Sequence, residues 1–131
     1  MADPEQIRTV LRLLFDNPGG DVANAREIYH DDAVLEFPQS GERFEGVDTF
    51  TTWRGQYPAE VTFRLRRTMI FEDFSLVELS AGYDGGPEMI GVQTLDFRGD
   101  KVIRERIYVT EPWEAPEWRA PYRSEAPAEF G

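Results

Sequence analysis

The chain has no cysteine among its 131 residues and a single histidine, His30. Disulfides are therefore excluded, and a thiolate or imidazole metal centre lacks the clustered ligands it needs. No loop of spaced Asp and Gly resembles a calcium motif, so the sequence predicts neither a metal nor a cofactor. No apolar run approaches the ~20 residues that span a bilayer. The opening Met1-Ala2-Asp3-Pro4-Glu5 is unlike the basic, apolar start of a secretory signal, which makes a cytoplasmic location the expectation. Positive charge is scarce too: 14 Lys and Arg face 25 Asp and Glu, for a formal net charge of −11. Such a surface repels phosphate backbones and anionic headgroups, so nucleic-acid and membrane partners are not expected. Gly85-Gly86-Pro87 is a hairpin turn with no helix after it, and no serine stands in a nucleophile-elbow context.

What is present reads as one domain. Ile7, Val10, Leu11, Leu13, Leu14 and Phe15 recur at helical spacing, and Asn17-Pro18-Gly19-Gly20 ends that helix. Asp21 is placed to cap a second helix running through Val22, Ala25 and Ile28 to Tyr29. Ala33 to Pro38 reads as a short strand. Gly46 to Tyr57 reads as a third helix, stopped before Pro58. Apolar alternation then takes over: Val61, Phe63 and Leu65; Val77, Leu79, Ala81 and Tyr83; Met89 to Phe97; Lys101 to Thr110. Turns at Asp84-Gly85-Gly86-Pro87 and Arg98-Gly99-Asp100 join these strands. Helices first and meandering strands second is the α+β pattern. The domain covers residues 1–123, with a tail rich in Pro and aromatics from about residue 111 and a frayed end at 124–131. Its Trp residues should seek cover on the body or on a second subunit.

A family resemblance lies in several short strings in order: Gly20-Asp21; Tyr29-His30-Asp31-Asp32-Ala33-Val34-Leu35-Glu36-Phe37-Pro38; Phe44-Glu45-Gly46-Val47; and Gly99-Asp100-Lys101-Val102-Ile103-Arg104-Glu105-Arg106-Ile107-Tyr108-Val109. The sequence resembles the nuclear transport factor 2-like superfamily, and within it the SnoaL-like group, over about residues 5 to 111. The resemblance implies a cone: a bent antiparallel sheet wrapped around the N-terminal helices and enclosing an apolar pocket. Ketosteroid isomerases, limonene epoxide hydrolases, scytalone dehydratases, polyketide cyclases and non-catalytic members share that fold, so function rests on the site.

The resemblance also places known roles on this chain. The isomerase general base falls on Phe37, the phenolic donor on Leu13 or Leu14, and the second donor on Gln93. A phenyl ring cannot abstract a proton, so the isomerase machinery is absent, although Gln93 can donate to a ligand carbonyl. The hydrolase acid falls on Ile107, and one same-face step earlier stands Glu105. The alternation groups Glu105 with Ile103, Ile107 and Val109. A charged carboxylate among apolar neighbours costs several kcal/mol unless paired, hydrated or protonated. One reading makes Glu105 the catalytic acid/base. The other makes it half of a structural ion pair with an inward arginine such as Arg67. Tyr29 and Trp53 match pocket aromatics of relatives. Phe37, Val77, Leu79, Ala81, Met89 and Leu95 would line the remaining inner surface, with small Ala81 and Gly91 leaving room. His30 ends the second helix beside Asp31 and Asp32, where a cation suits the helix dipole.

Two functions stand open at this point. One is a cofactor-independent isomerase, cyclase, dehydratase or hydrolase acting on a small apolar or polycyclic metabolite. The other is a ligand-binding or dimeric interaction protein that has lost its relatives' catalytic groups. Arg64, Arg66, Arg104, Arg106, Glu78 and Asp96 should face outward beside Ile90, Val92 and Tyr108, a mixed seam suited to a homodimer.

Overall fold

The first helix, α1 (Pro4–Asp16), opens on a reciprocal cap. Asp3 Oδ1 accepts from the Gln6 N–H at 2.9 Å, and Gln6 Oε1 accepts from the Asp3 N–H at 3.0 Å. Pro4 begins the helix, where its missing N–H costs nothing. In this computed structural model, residues 2–16, 22–56 and 61–125 are described. The expected turn at 17–20, the Asp21 cap, the helix end at Tyr57-Pro58 and the last residues 126–131 lie outside them.

After α1 come α2 (Val22–Ile28), β1 (Tyr29–Phe37), β2 (Glu42–Glu45), α3 (Val47–Gly55), β3 (Val61–Phe71), β4 (Phe74–Tyr83), β5 (Met89–Arg98) and β6 (Lys101–Thr110). The strands form one curved, six-stranded sheet in the order β2-β1-β6-β5-β4-β3. Four pairings are antiparallel, while β1 and β6 run parallel because the chain travels through the whole meander before returning beside β1. The α+β class and the curved sheet with N-terminal helices agree with the sequence reading; the sheet does not close on itself.

The helices cover the concave face. Ile7, Val10 and Leu11 are buried at the i, i+3, i+4 spacing of α1, and Val47, Phe50 and Thr51 occupy the buried side of α3. Opposite them stand fully buried Leu35, Val77, Leu95 and Val102. Phe50 meets the Tyr29 ring edge-on with centroids 4.9 Å apart.

Two irregularities re-aim side chains. An extra residue in β6 sits opposite the Asp96–Phe97 step, so Val102 turns inward. Ile103 instead lines an outer hollow with Arg104 and Asp96, which corrects its grouping with Glu105. In β3 an extra residue at Arg66 reverses the alternation, so Val61 and Phe63 serve the inner face before it and Ile70 after it. Phe63 and Leu65 remain 37 and 43 % exposed, because β3 is an edge strand.

Other expectations are corrected. Tyr29 and His30 belong to β1, not to α2, and His30 Nε2 meets the Arg98 carbonyl at 2.6 Å. The tail does form a 3₁₀ turn at Glu117–Tyr122, and its aromatics do not lie on the body: Trp113, Trp118 and Tyr122 are at least 71 % exposed. Outside, Glu36 binds Arg106 at 2.9 Å, with Arg104 and Arg43 each 3.7 Å away. Arg66 lies on that outer side too, donating to Ser80 Oγ, whose cross-strand neighbours are Arg64 and Ile90, at 2.6 Å.

Phe50 ties α3 to β1 with no exposed surface. Phe50→Ala should lose about 3–5 kcal/mol of unfolding free energy in urea melts, because its neighbours collapse only partly into the void.

Candidate functional site

Four elements converge on one carboxylate. Glu105 lies mid-way along β6 with Leu95 of β5 on one side and Leu35 of β1 on the other, and is 1 % exposed. Gln93, two residues from Leu95 on the same face, donates its amide N–H to Glu105 Oε2 at 2.9 Å. The Tyr29 hydroxyl, from the first residue of β1, donates to Oε1. Arg54, from the last turn of α3, donates to Oε2 at 3.2 Å and to the Tyr29 oxygen at 3.2 Å. Its guanidinium also sits 5.7 Å from the Phe50 ring centre.

The electrostatics follow from burial. Desolvation first, and then the charge of Glu105, push the Tyr29 phenol well above its ordinary value of 10.0, while Arg54 pulls the other way. Desolvation acts to lower the Arg54 value, but Glu105 and Tyr29 outweigh it and push the guanidinium up. The pair stays as guanidinium cation and neutral phenol across the ordinary pH range.

This cluster forms part of the wall of a cavity of about 260 Å³ under the helices. Leu13, Leu14, Phe15, Ile28 and Trp53 close it from the helix side, and Leu79, Ala81, Phe37 and Ile107 line it from the sheet. Trp53 packs on Phe44 and Phe37, with centroids 5.0 and 5.8 Å away. Three side-chain atoms are buried without a hydrogen-bond partner among the described residues: Trp53 Nε1, Gln93 Oε1 and Ser75 Oγ. The first two belong to cavity-lining residues.

The sequence profile of the SnoaL-like domain matches residues 7–105. The chain belongs to that family. This SnoaL-like chain is also similar to solved structures along nearly its whole length. An NTF-2-like protein of unknown function from Burkholderia xenovorans shares 32 % identity and a TM-score of 0.80, over 94 % of this chain and 97 % of that one. A candidate ketosteroid isomerase from Kribbella flavida shares 25 % identity and a TM-score of 0.82, over 100 and 99 %. An epoxide hydrolase of the LEH-like type from M. tuberculosis, at 17 % identity and a TM-score of 0.63 over 81 and 83 %, shows likeness of fold alone. No curated protein matches. No helix among the described residues is long and apolar enough to cross a membrane.

Of the residues singled out from sequence, Glu105, Gln93 and Tyr29 come together directly. Trp53, Phe37, Ile107 and Leu79 share the same SnoaL-like cavity. Met89 is half-buried against the core and does not line it, and Val77 and Leu95 are solid core. Ala81 and Gly91 do line the cavity, yet a Cβ on Gly91 would stand 3.0 Å from the Tyr108 carbonyl oxygen and 3.1 Å from Leu79 Cδ1. Gly91 therefore permits close strand approach rather than leaving room. The partner of Glu105 is Arg54, not Arg67. The signal was present in α3: Arg54 follows Phe50 by four residues and Val47 by seven, continuing that helix's buried stripe.

Removing one member of a buried pair strands the other. Arg54→Met should cost about 3 kcal/mol, and Arg54→Met with Glu105→Gln should cost less than the two singles added, as read by urea melts in a double-mutant cycle.

The pH response has a definite sign. The folded phenol titrates above the unfolded value of 10.0, so its stabilising contribution is whole below pH 10 and lost as pH rises past it. The stability difference between wild type and Tyr29→Phe should stay level up to about pH 10 and shrink above it.

Proposed function

We propose that this protein takes a small apolar molecule into the cavity and moves a proton on it with Glu105, without a cofactor. The observation that carries the reading is a buried carboxylate, held by three donors, in the wall of an otherwise apolar cavity. Isolated carboxylates are not left in such places without partners, and here the partners also fix the direction of the two oxygens. Three of roughly four lone-pair positions on a carboxylate are taken, which leaves one for a substrate proton. In this role Glu105 accepts the proton, Arg54 steadies the negative charge left on the substrate, and Tyr29 holds the carboxylate in place. Return of the proton to a different atom gives isomerisation or ring closure. Trp53, Phe37, Leu79 and Ile107 hold the body of the substrate. The cavity is smaller than the about 300–1,000 Å³ of drug-sized sites, which favours a compact metabolite over an extended polycyclic one.

A second reading is favoured by a specific observation. Phe37, Leu13, Leu14 and Ile107, the positions that the family resemblance ties to catalytic groups, are all apolar and all on the cavity wall. A binding protein that has shed those groups would keep Glu105 only to organise the wall.

Thermal-melt screening against small cyclic alcohols, ketones and epoxides, with wild type, Glu105→Gln and Ala81→Leu in parallel, separates these readings. A stabilising ligand raises the melting temperature through selective binding to the folded state. Ala81→Leu should abolish that shift by filling the cavity. Glu105→Gln should keep the shift while losing at least ~100-fold in turnover of the same compound, the size typical of a lost acid/base. An unchanged shift with no turnover by wild type supports the binding protein, and no shift with any compound removes the cavity reading.

The outer face, where Ile90 and Tyr108 are 48 and 39 % exposed beside Arg104 and Arg106, is the seam we assign to a second copy. Sedimentation should give a dimer for wild type and a monomer for Ile90→Glu.

A further inference from the structure

The Gln93 amide has a fixed polarity. A charged Glu105 only accepts, so Gln93 must turn its NH₂ toward Oε2, 2.9 Å away, and its carbonyl oxygen points elsewhere. That oxygen accepts nothing, on a side chain only 5 % exposed. Trp53 presents the opposite need: an indole N–H, also buried, that donates to nothing. Ser75 Oγ, the other such atom among the described residues, belongs to the solid core and not to the cavity wall. Two residues of the cavity wall, Gln93 and Trp53, thus each carry a buried polar atom without a partner, one an acceptor and one a donor.

A buried polar group left without a partner opposes folding, and the molecule that answers it recovers that cost on binding. A hydrocarbon answers neither group. A ketone or ether answers the indole N–H alone. A hydroxyl donates and accepts, and so answers both. The last torsion of a glutamine is broad, which lets the carbonyl oxygen turn to meet a ligand without the side chain leaving the wall.

We infer that the ligand of this cavity is a hydroxylated apolar molecule, an alcohol or phenol, recognised by Gln93 Oε1 as acceptor and Trp53 Nε1 as donor. The inference rests on the reading that the cavity takes a small apolar ligand, and it adds the polarity of the group that ligand presents. It also reverses the role expected of Gln93 from sequence, from donor toward a ligand carbonyl to acceptor from a ligand hydroxyl.

The test is calorimetric titration of matched probes: naphthalene, methoxynaphthalene and naphthol, and the corresponding biphenyl, methoxybiphenyl and hydroxybiphenyl. Wild type should bind each hydroxyl compound about tenfold or more tighter than its methyl ether, and the ether tighter than the hydrocarbon. Gln93→Leu should erase the preference for hydroxyl over ether, and Trp53→Phe the preference for ether over hydrocarbon. The wild-type ranking decides the matter even if a variant fails to fold. Equal affinity across a series, or an ether bound more tightly than its alcohol, overturns the inference while leaving the cavity reading intact. A hydroxyl preference that survives in folded Gln93→Leu also overturns it, by assigning the hydroxyl to Glu105 instead. Failure of every probe to bind overturns this inference and the cavity reading together.

Discussion

A carboxylate carried out of water into the middle of a sheet dictates what its neighbours must be. Left alone, Glu105 would oppose folding by several kcal/mol, because an apolar surround returns none of the hydration it loses. The chain answers with a hydroxyl from β1, a guanidinium from α3 and an amide from β5. Each comes from a different element, so the network forms only when helix α3 has docked and the β1–β6 pairing is in register. Polar satisfaction and assembly of the concave face are thus one event. Glu36 on the outer face makes a useful contrast. It too gathers arginines, but Arg43, Arg104 and Arg106 are about half exposed, and pairs in that setting contribute little net stability.

Much of this arrangement was legible in the sequence because the alternation in β5 and β6 is regular around the site. Gln93, Leu95, Glu105 and Ile107 fall on one face by counting in twos, and the structure keeps them there. What counting in twos cannot see is an inserted residue. The bulge in β6 moves Ile103 out and Val102 in, and the one in β3 exchanges odd positions for even beyond Leu65. Neither place carries a glycine or proline to betray it. Arg54 escaped for a different reason. A charged residue at the end of a helix reads as solvated, and only the docking angle of α3 brings it over Tyr29 and Glu105. Tyr29 was found as a pocket residue but placed on the wrong element, since an aromatic that ends a helical period serves equally as the first residue of a strand. Of the two kinds of cover that bulky aromatics in the tail can seek, Trp113 and Trp118 do not take the one on their own body.

Membership in the SnoaL-like family settles the architecture and leaves the chemistry to the side chains. Where the resemblance ties an isomerase base, an isomerase phenol and a hydrolase acid to particular positions, this chain has Phe37, leucine and Ile107, so the cavity wall is greasier than a site that distributes polar groups around its ligand. Most of the polar groups that remain are gathered around one sheet position, with the Trp53 indole N–H on the helix side.

The order of dependence within that wall is worth following through. Arg54 and Tyr29 hold Glu105, and Glu105 in turn holds the Gln93 amide with its nitrogen toward the carboxylate. The free carbonyl oxygen of Gln93 is therefore a consequence of charge two side chains away, at Arg54. A neutral residue in place of Glu105 would release the amide to face either way, and the wall would lose its fixed preference for donor over acceptor. The polarity of this wall is thus set less by Gln93 itself than by the buried ion pair behind it. The same pair that lets the sheet tolerate a carboxylate also assigns the direction of every hydrogen bond on that side of the cavity.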